Sequence, residues 1–103
     1  MKASKLELAG WSVGTASEFL ALSPSESMLI DIKLSLACAV LERRLNQGKS
    51  QEELALLISS SQSEVAKIEA ADSAVSIELL VKCLVILGAS RLRIGDVIGM
   101  EEG

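Results

Sequence analysis

The 103-residue sequence contains no histidine, a single proline and only two aromatic residues, Trp11 and Phe19. Without histidine the chain lacks the commonest general base and metal ligand, which excludes a Ser-His-Asp or Cys-His nucleophile and an imidazole zinc site within it. Two aromatics are too few for the base-stacking platform of a single-strand or RNA-recognition module. We therefore expect a protein that binds rather than catalyses, with no cofactor and no metal.

Cysteine and long apolar runs are also scarce. Cys38 and Cys83 lie far apart, each among aliphatic residues, and no CxxC spacing is present. Such cysteines are typical of buried free thiols, and a disulfide between them would suit an exported protein. The most apolar segment, residues 79–89, is too short to span a bilayer and carries Lys82. The N-terminus lacks a secretory signal pattern, so we expect a cytoplasmic protein with no membrane partner.

What the sequence has instead is strong helical patterning. Half of the residues are apolar, and alanine, leucine, glutamate and lysine predominate. Serines followed three residues later by glutamate predict helix starts at Ser23, Ser50 and Ser61, and Ser76 predicts another. The predicted helices span residues 15–22, 24–46, 51–58, 62–70, 77–87 and 90–98. We expect an all-α fold with an N-terminal extension (1–24), one domain (25–99) and a polar tail (100–103).

The predicted long helix is apolar on more than one side. Leucine, isoleucine and valine recur along it at helical spacing, at Leu29, Ile32, Leu36, Val40, Leu41 and Leu45. One side should pack within the chain, and another is available to a partner.

Residues 51–70 read QEELALLISSSQSEVAKIEA. Leu54 and Ile58 lie one turn apart on the first predicted helix, and Val65 and Ile68 do so on the second. Ala55 supplies the small side chain that two steeply crossing helices need. This combination predicts a helix-turn-helix, in which the second helix enters the DNA major groove by its N-terminal end.

The segment resembles the Xre/Cro/CI-type helix-turn-helix family, which includes the lambdoid repressors. The family pattern is matched by Gln51, Leu54, Ala55, Ser61, Val65 and Glu69. Ser59 stands where the pattern has the turn glycine, and Ser60 where it has an apolar residue, which implies a strained turn. The likeness covers residues 36–98 and implies a lambda-repressor-like bundle of about five helices. Residues 11–24 and 60–80 are similar to HigA-like antitoxins, whose partners are RelE-like toxins.

By this resemblance, residues 61–70 form the recognition helix. The chemistry of Gln62 suits bidentate pairing with adenine, and that of Gln51 suits a phosphate contact. Arg44 is expected to pair with Glu69, which fixes the recognition helix. The DNA-facing residues implied are Gln51, Ser61, Gln62, Ser63 and Lys67, with Arg43, Arg44 and Lys49 as further cationic contacts.

Each of these residues also has an ordinary explanation. Glutamine, serine and lysine at the start of a helix are common on any solvated surface. Glu64 would repel phosphates, accept from a cytosine amino group, or only complete the cap with Ser61. If its charge has abolished DNA binding, the chain is instead a protein-interaction scaffold that uses Trp11, Phe19 and the long helix.

The charge balance bears on the same choice. The net charge is -4, from ten basic and fourteen acidic residues. Much of the acidity lies outside residues 41–70, which predicts weak nonspecific binding and a shallow salt dependence rather than no DNA binding. The sequence therefore predicts a dimeric, double-stranded DNA-binding regulator that acts as a repressor. The resemblance to HigA-like proteins adds the role of antitoxin, with a RelE-like toxin as partner.

Overall fold

The computed structural model describes residues 23–99, which form five α-helices. They are α1 (Pro24–Asn46), α2 (Gln51–Leu57), α3 (Gln62–Glu69), α4 (Ile77–Ile86) and α5 (Arg91–Gly99). The described part contains no strand, and the all-α prediction is confirmed. Within residues 23–99, no helix combines the length and the hydrophobicity that crossing a bilayer requires.

Serine caps begin the first four helices, as the sequence predicts. The hydroxyls of Ser23 and Ser50 accept hydrogen bonds from backbone N–H groups three residues on. In return, the carboxylates of Glu26 and Glu53 accept from the backbone N–H groups of these two serines. The bond from the Ser23 backbone lowers the pKa of Glu26. These bonds satisfy N–H groups that the helix itself leaves unpaired, so short helices begin at defined residues.

Left-handed residues end the first four helices. Gly48, Ser59, Ala71 and Gly88 have φ of 69°, 57°, 55° and 92°. In each case the next N–H bonds back to a carbonyl of the last turn, as in Ser60 N to Ala55 O at 2.8 Å. Glycine adopts this conformation without steric cost, whereas a Cβ makes it unfavourable at Ser59 and Ala71.

Replacing Ser59 with glycine is expected to stabilise the protein. The strained Cβ disappears while the backbone bonds of the turn remain, which is worth about 1 kcal/mol. Thermal unfolding should show a midpoint about 4–8 °C higher. Ser60→Gly, one residue further at a position without positive φ, is the control and should be neutral or destabilising. A Ser59→Gly protein that melts below wild type would contradict strain at this turn.

The hydrophobic core lies between α1 and the other four helices. Its fully buried side chains come from every helix: Leu36, Val40, Leu54, Val65, Ile68, Leu80, Cys83, Leu84 and Val97. The Nε2 of Gln47 donates to the carbonyl of Leu87 at 2.6 Å and ties the end of α1 to the end of α4. The core thus holds α3 against α1, with the first turn of α3 outward.

One expectation about burial needs correction. Both cysteines are free, but only Cys83 is buried, and Cys38 is exposed. Leu29 and Leu45 are also exposed, at 51% and 58%, as a long helix that is apolar on more than one side leads one to expect. The reason is geometric: α1 buries the side centred on Leu36 and Val40, and residue 38 lies half a turn away. The expected helix at residues 15–22 and the anchors Trp11 and Phe19 lie outside the described residues.

Candidate nucleic-acid interface

Helices α2 and α3 form the predicted helix-turn-helix. Leu54 and Ala55 of α2 and Val65 and Ile68 of α3 are buried against each other and the rest of the core. The opposite side of α3 exposes Gln62, Ser63 and Lys67. A helix held by one face, with polar side chains on its outer N-terminal turns, has the form that enters a major groove.

The carboxylate of Glu69, at the end of α3, is the centre of a polar network. Arg44 of α1 donates from Nε to Oε2 at 2.5 Å and from Nη2 to Oε1 at 3.1 Å. The two side chains expose only 9% and 6% of their surface. The bond to Glu69 raises the pKa of Arg44, so the guanidinium stays charged at neutral pH. A bidentate pair of this kind fixes both distance and orientation.

The guanidinium of Arg44 makes one more bond, from Nη1 to the carbonyl of Lys49 at 2.7 Å. Lys49 lies in the link between α1 and α2. A single arginine therefore connects three segments of the fold: the end of α1, the link that leads into α2 and the end of α3.

Gln51, the first residue of α2, extends this network to the exposed face. Its Nε2 donates to Glu69 Oε1 at 3.0 Å, and its Oε1 accepts from Nε2 of Gln62. Gln51 is half-buried, while Gln62 is exposed at the first position of α3. A continuous chain of hydrogen bonds thus runs from the buried arginine to the outermost amide.

This series of hydrogen bonds leaves the other polar atoms of the Gln62 side-chain amide available to a base. An amide has two N–H donors and one carbonyl oxygen, and the bond to Gln51 uses one N–H. The remaining N–H and the oxygen are the two groups that pair with adenine N7 and N6. Gln51 retains one N–H, which a phosphate could accept, so its predicted phosphate contact is compatible with its bonds inside the protein.

The first turn of α3 is capped by serine. The Ser61 hydroxyl accepts from the backbone N–H of Glu64 at 3.1 Å and lies 3.2 Å from the Ser63 hydroxyl. Among the contacts of residues 23–99, the Glu64 carboxylate does not return the bond, unlike Glu53 at the start of α2. Glu64 is half-buried as a residue, and its carboxylate adds a negative charge near the front of α3.

The predicted cationic residues are not all brought together. Lys67 is exposed on α3, and Lys49 lies beside the start of α2. Arg43 instead lines a cleft formed with α4 and α5, where its neighbours include Leu84 and Arg93. Adjacent helical residues point about 100° apart, so Arg43 lies away from the side where Arg44 meets Glu69.

Two positioning contacts were not predicted from the sequence. Lys33 Nζ lies 3.4 Å from the carbonyls of both Asp72 and Ser73, in the loop after α3. The bonds of Gln51 to Glu69 and Gln62 are the other. These partners lie 11 to 40 residues apart, and no local pattern signals them.

Within residues 23–99 no three metal-ligating side chains cluster. Comparison with curated proteins and with solved structures gave no significant match. A family model described as helix-turn-helix matches residues 40–93, which is more than half of the chain and includes α2, α3 and α4. The chain belongs to this helix-turn-helix family of Xre and lambda-repressor-like DNA-binding regulators.

Proposed function

We propose that this protein is a sequence-specific, double-stranded DNA-binding repressor that inserts α3 into the major groove. The observation that carries the proposal is the hydrogen-bond chain from Arg44 through Glu69 and Gln51 to Gln62. Such a chain holds a base-reading amide in one orientation before DNA arrives, so less side-chain entropy is lost on binding. Ser61, Ser63 and Lys67 contact DNA beside it, with Lys49 as an outer cationic contact.

The operator follows from symmetry. Two copies related by a two-fold axis present two α3 helices to successive major grooves, about 34 Å apart, on a near-palindromic site. Occupancy excludes polymerase, and the natural place for such a site is the protein's own promoter. The action is cytoplasmic and needs no catalysis or cofactor.

An antitoxin role is the finer part of the proposal. Residues 25–99 are the DNA-binding unit, and the extension 1–24 or α1 holds a RelE-like toxin. A net charge of -4 suits a basic partner. A small basic ribonuclease-like reading frame beside the gene is the expected genetic sign.

One observation favours a second function, a protein-interaction scaffold that no longer binds DNA. The Glu64 carboxylate lies in the first turn of α3 and is not part of the Ser61 cap bonds described. A negative charge there opposes phosphate approach and lowers nonspecific affinity.

The deciding measurement is fluorescence anisotropy of labelled duplex from the protein's own upstream region, at two salt concentrations. We expect specific binding that weakens with salt. Gln62→Ala should lower the affinity about 5- to 150-fold, because a bidentate pair contributes about 1–3 kcal/mol of discrimination. Lys67→Ala should weaken binding to all sequences and reduce the salt slope by about one.

Asn46→Ala is the matched control, because Asn46 is another exposed amide, on the last turn of α1 and in the cleft with Arg43. It should bind DNA as wild type does. No binding at low salt would reject the repressor and favour the scaffold. Equal losses in Gln62→Ala and Asn46→Ala would show that α3 does not read the bases.

A further inference from the structure

Helix α1 carries a second apolar surface outside the core. We define the outer stripe as Leu34, Cys38, Leu41 and Leu45. Cys38 is exposed, and Leu45 exposes 58% of its surface. Leu34 and Leu41 are half-buried, yet neither is in the core cluster or among the residues packed against it. An apolar row at this position has no partner among the core residues that the structure describes.

The spacing of the outer stripe is that of a helix–helix seam. Its residues are separated by four, three and four positions, the alternation of a and d positions in a heptad. At 100° per residue, the stripe lies roughly 130° around α1 from the buried Leu36, Val40 and Arg44. It extends for about 16 Å along the helix and contains no charged residue.

We propose that the outer stripe pairs with the outer stripe of a second copy, with the two α1 helices antiparallel. The two-fold axis passes between Cys38 and Leu41. Cys38 then packs on Leu41 of the second copy, and Leu34 packs on Leu45. Each layer joins an a position to a d position, so the surface is complementary to itself. The inference rests on the proposed dimer for its role in operator binding, but the contact itself is independent of DNA.

Asp31 selects the antiparallel direction. It continues the heptad spacing three residues before Leu34, and its Oδ1 atom is buried without a hydrogen-bond partner among the described residues. Parallel helices would place Asp31 against Asp31 of the second copy, which like charges oppose. Antiparallel helices instead place it beyond Asn46, the last residue of α1 in the second copy, so the two Asp31 carboxylates do not meet.

Site-directed disulfides test both the surface and the direction. We would prepare two proteins, Cys38→Ser with Leu34→Cys and Cys38→Ser with Leu45→Cys, tagged to differ in mass. Mild oxidation should link them only when they are mixed, because identical cysteines lie about 16 Å apart across an antiparallel pair. Cys83 is buried, and burial raises its pKa to about 11, so it does not react. Links within each unmixed protein, or no link at all, would overturn the proposal.

Sedimentation without DNA gives the second test. Leu45→Glu should weaken dimerisation about a hundredfold or more, because each dimer loses two buried leucines. Leu92→Glu is the matched control, since Leu92 on α5 is also exposed, at 81%. Dissociation by Leu92→Glu alone, or a wild-type monomer at every concentration, would overturn the pairing. A dimer that binds no operator would reject only the proposed function.

Discussion

Replacing Arg44 with alanine is expected to lower the free energy of unfolding by about 3 kcal/mol or more. The change leaves the Glu69 carboxylate, which exposes only 6% of its surface, without its bidentate partner. Removing one member of a buried ion pair typically costs about 3–5 kcal/mol, because the other charge stays desolvated. It also removes the hydrogen bond to the carbonyl of Lys49. Glu69, which accepts from Gln51, is then no longer held in place, so Gln51 and Gln62 lose their fixed orientation. Chemical denaturation measures the stability, and anisotropy measures the accompanying loss of operator affinity.

Arg43→Ala is the matched control, one residue earlier on the same helix. Arg43 lies in the cleft with α4 and α5 and is not among the partners of Glu69, so its loss should have a small effect on stability. The double change Arg44→Met with Glu69→Leu should restore most of the stability but not the DNA binding. If Arg44→Ala changed neither the melting temperature nor the operator affinity, the role assigned to this ion pair would be wrong.

Leu54→Ala should produce the second large effect, a loss of about 3 kcal/mol. Leu54 is fully buried where α2 meets α3, and truncation of a buried leucine removes its apolar contacts and leaves a cavity. In a domain of this size the melting temperature should fall by more than 10 °C. Because Leu54 holds the helix-turn-helix together, DNA binding at 37 °C should fall with the folded fraction.

The control lies on the same short helix. Leu56 exposes 80% of its surface, so Leu56→Ala should change the stability by less than about 0.5 kcal/mol. Equal effects from the two leucines would mean that α2 does not pack as the structure has it. Thermal unfolding of both variants under identical conditions measures the contrast.

Local signals in the sequence were enough for the secondary structure of residues 23–99. Serine caps act over three residues, and the helix-ending residues Gly48 and Gly88 act over one turn, so helix starts and ends can be read along the chain. The left-handed backbone conformation of Ser59 was also predictable, because the family pattern has glycine at this position. Ala71 takes the same conformation without a comparable signal.

The candidate site also has features that local sequence signals predict and features that they do not. The sequence by itself determined an all-α helix-turn-helix with a polar outer face on its second helix, because capping and apolar spacing are local. Only the tertiary structure determined that Gln51 joins Glu69 to Gln62, that Arg43 and Arg44 lie on different sides of α1, and that Cys38 is exposed. The physical reason is that periodicity shows which residues share a helix face. Which faces meet depends on how the helices cross, and that is set by packing between residues far apart in the chain.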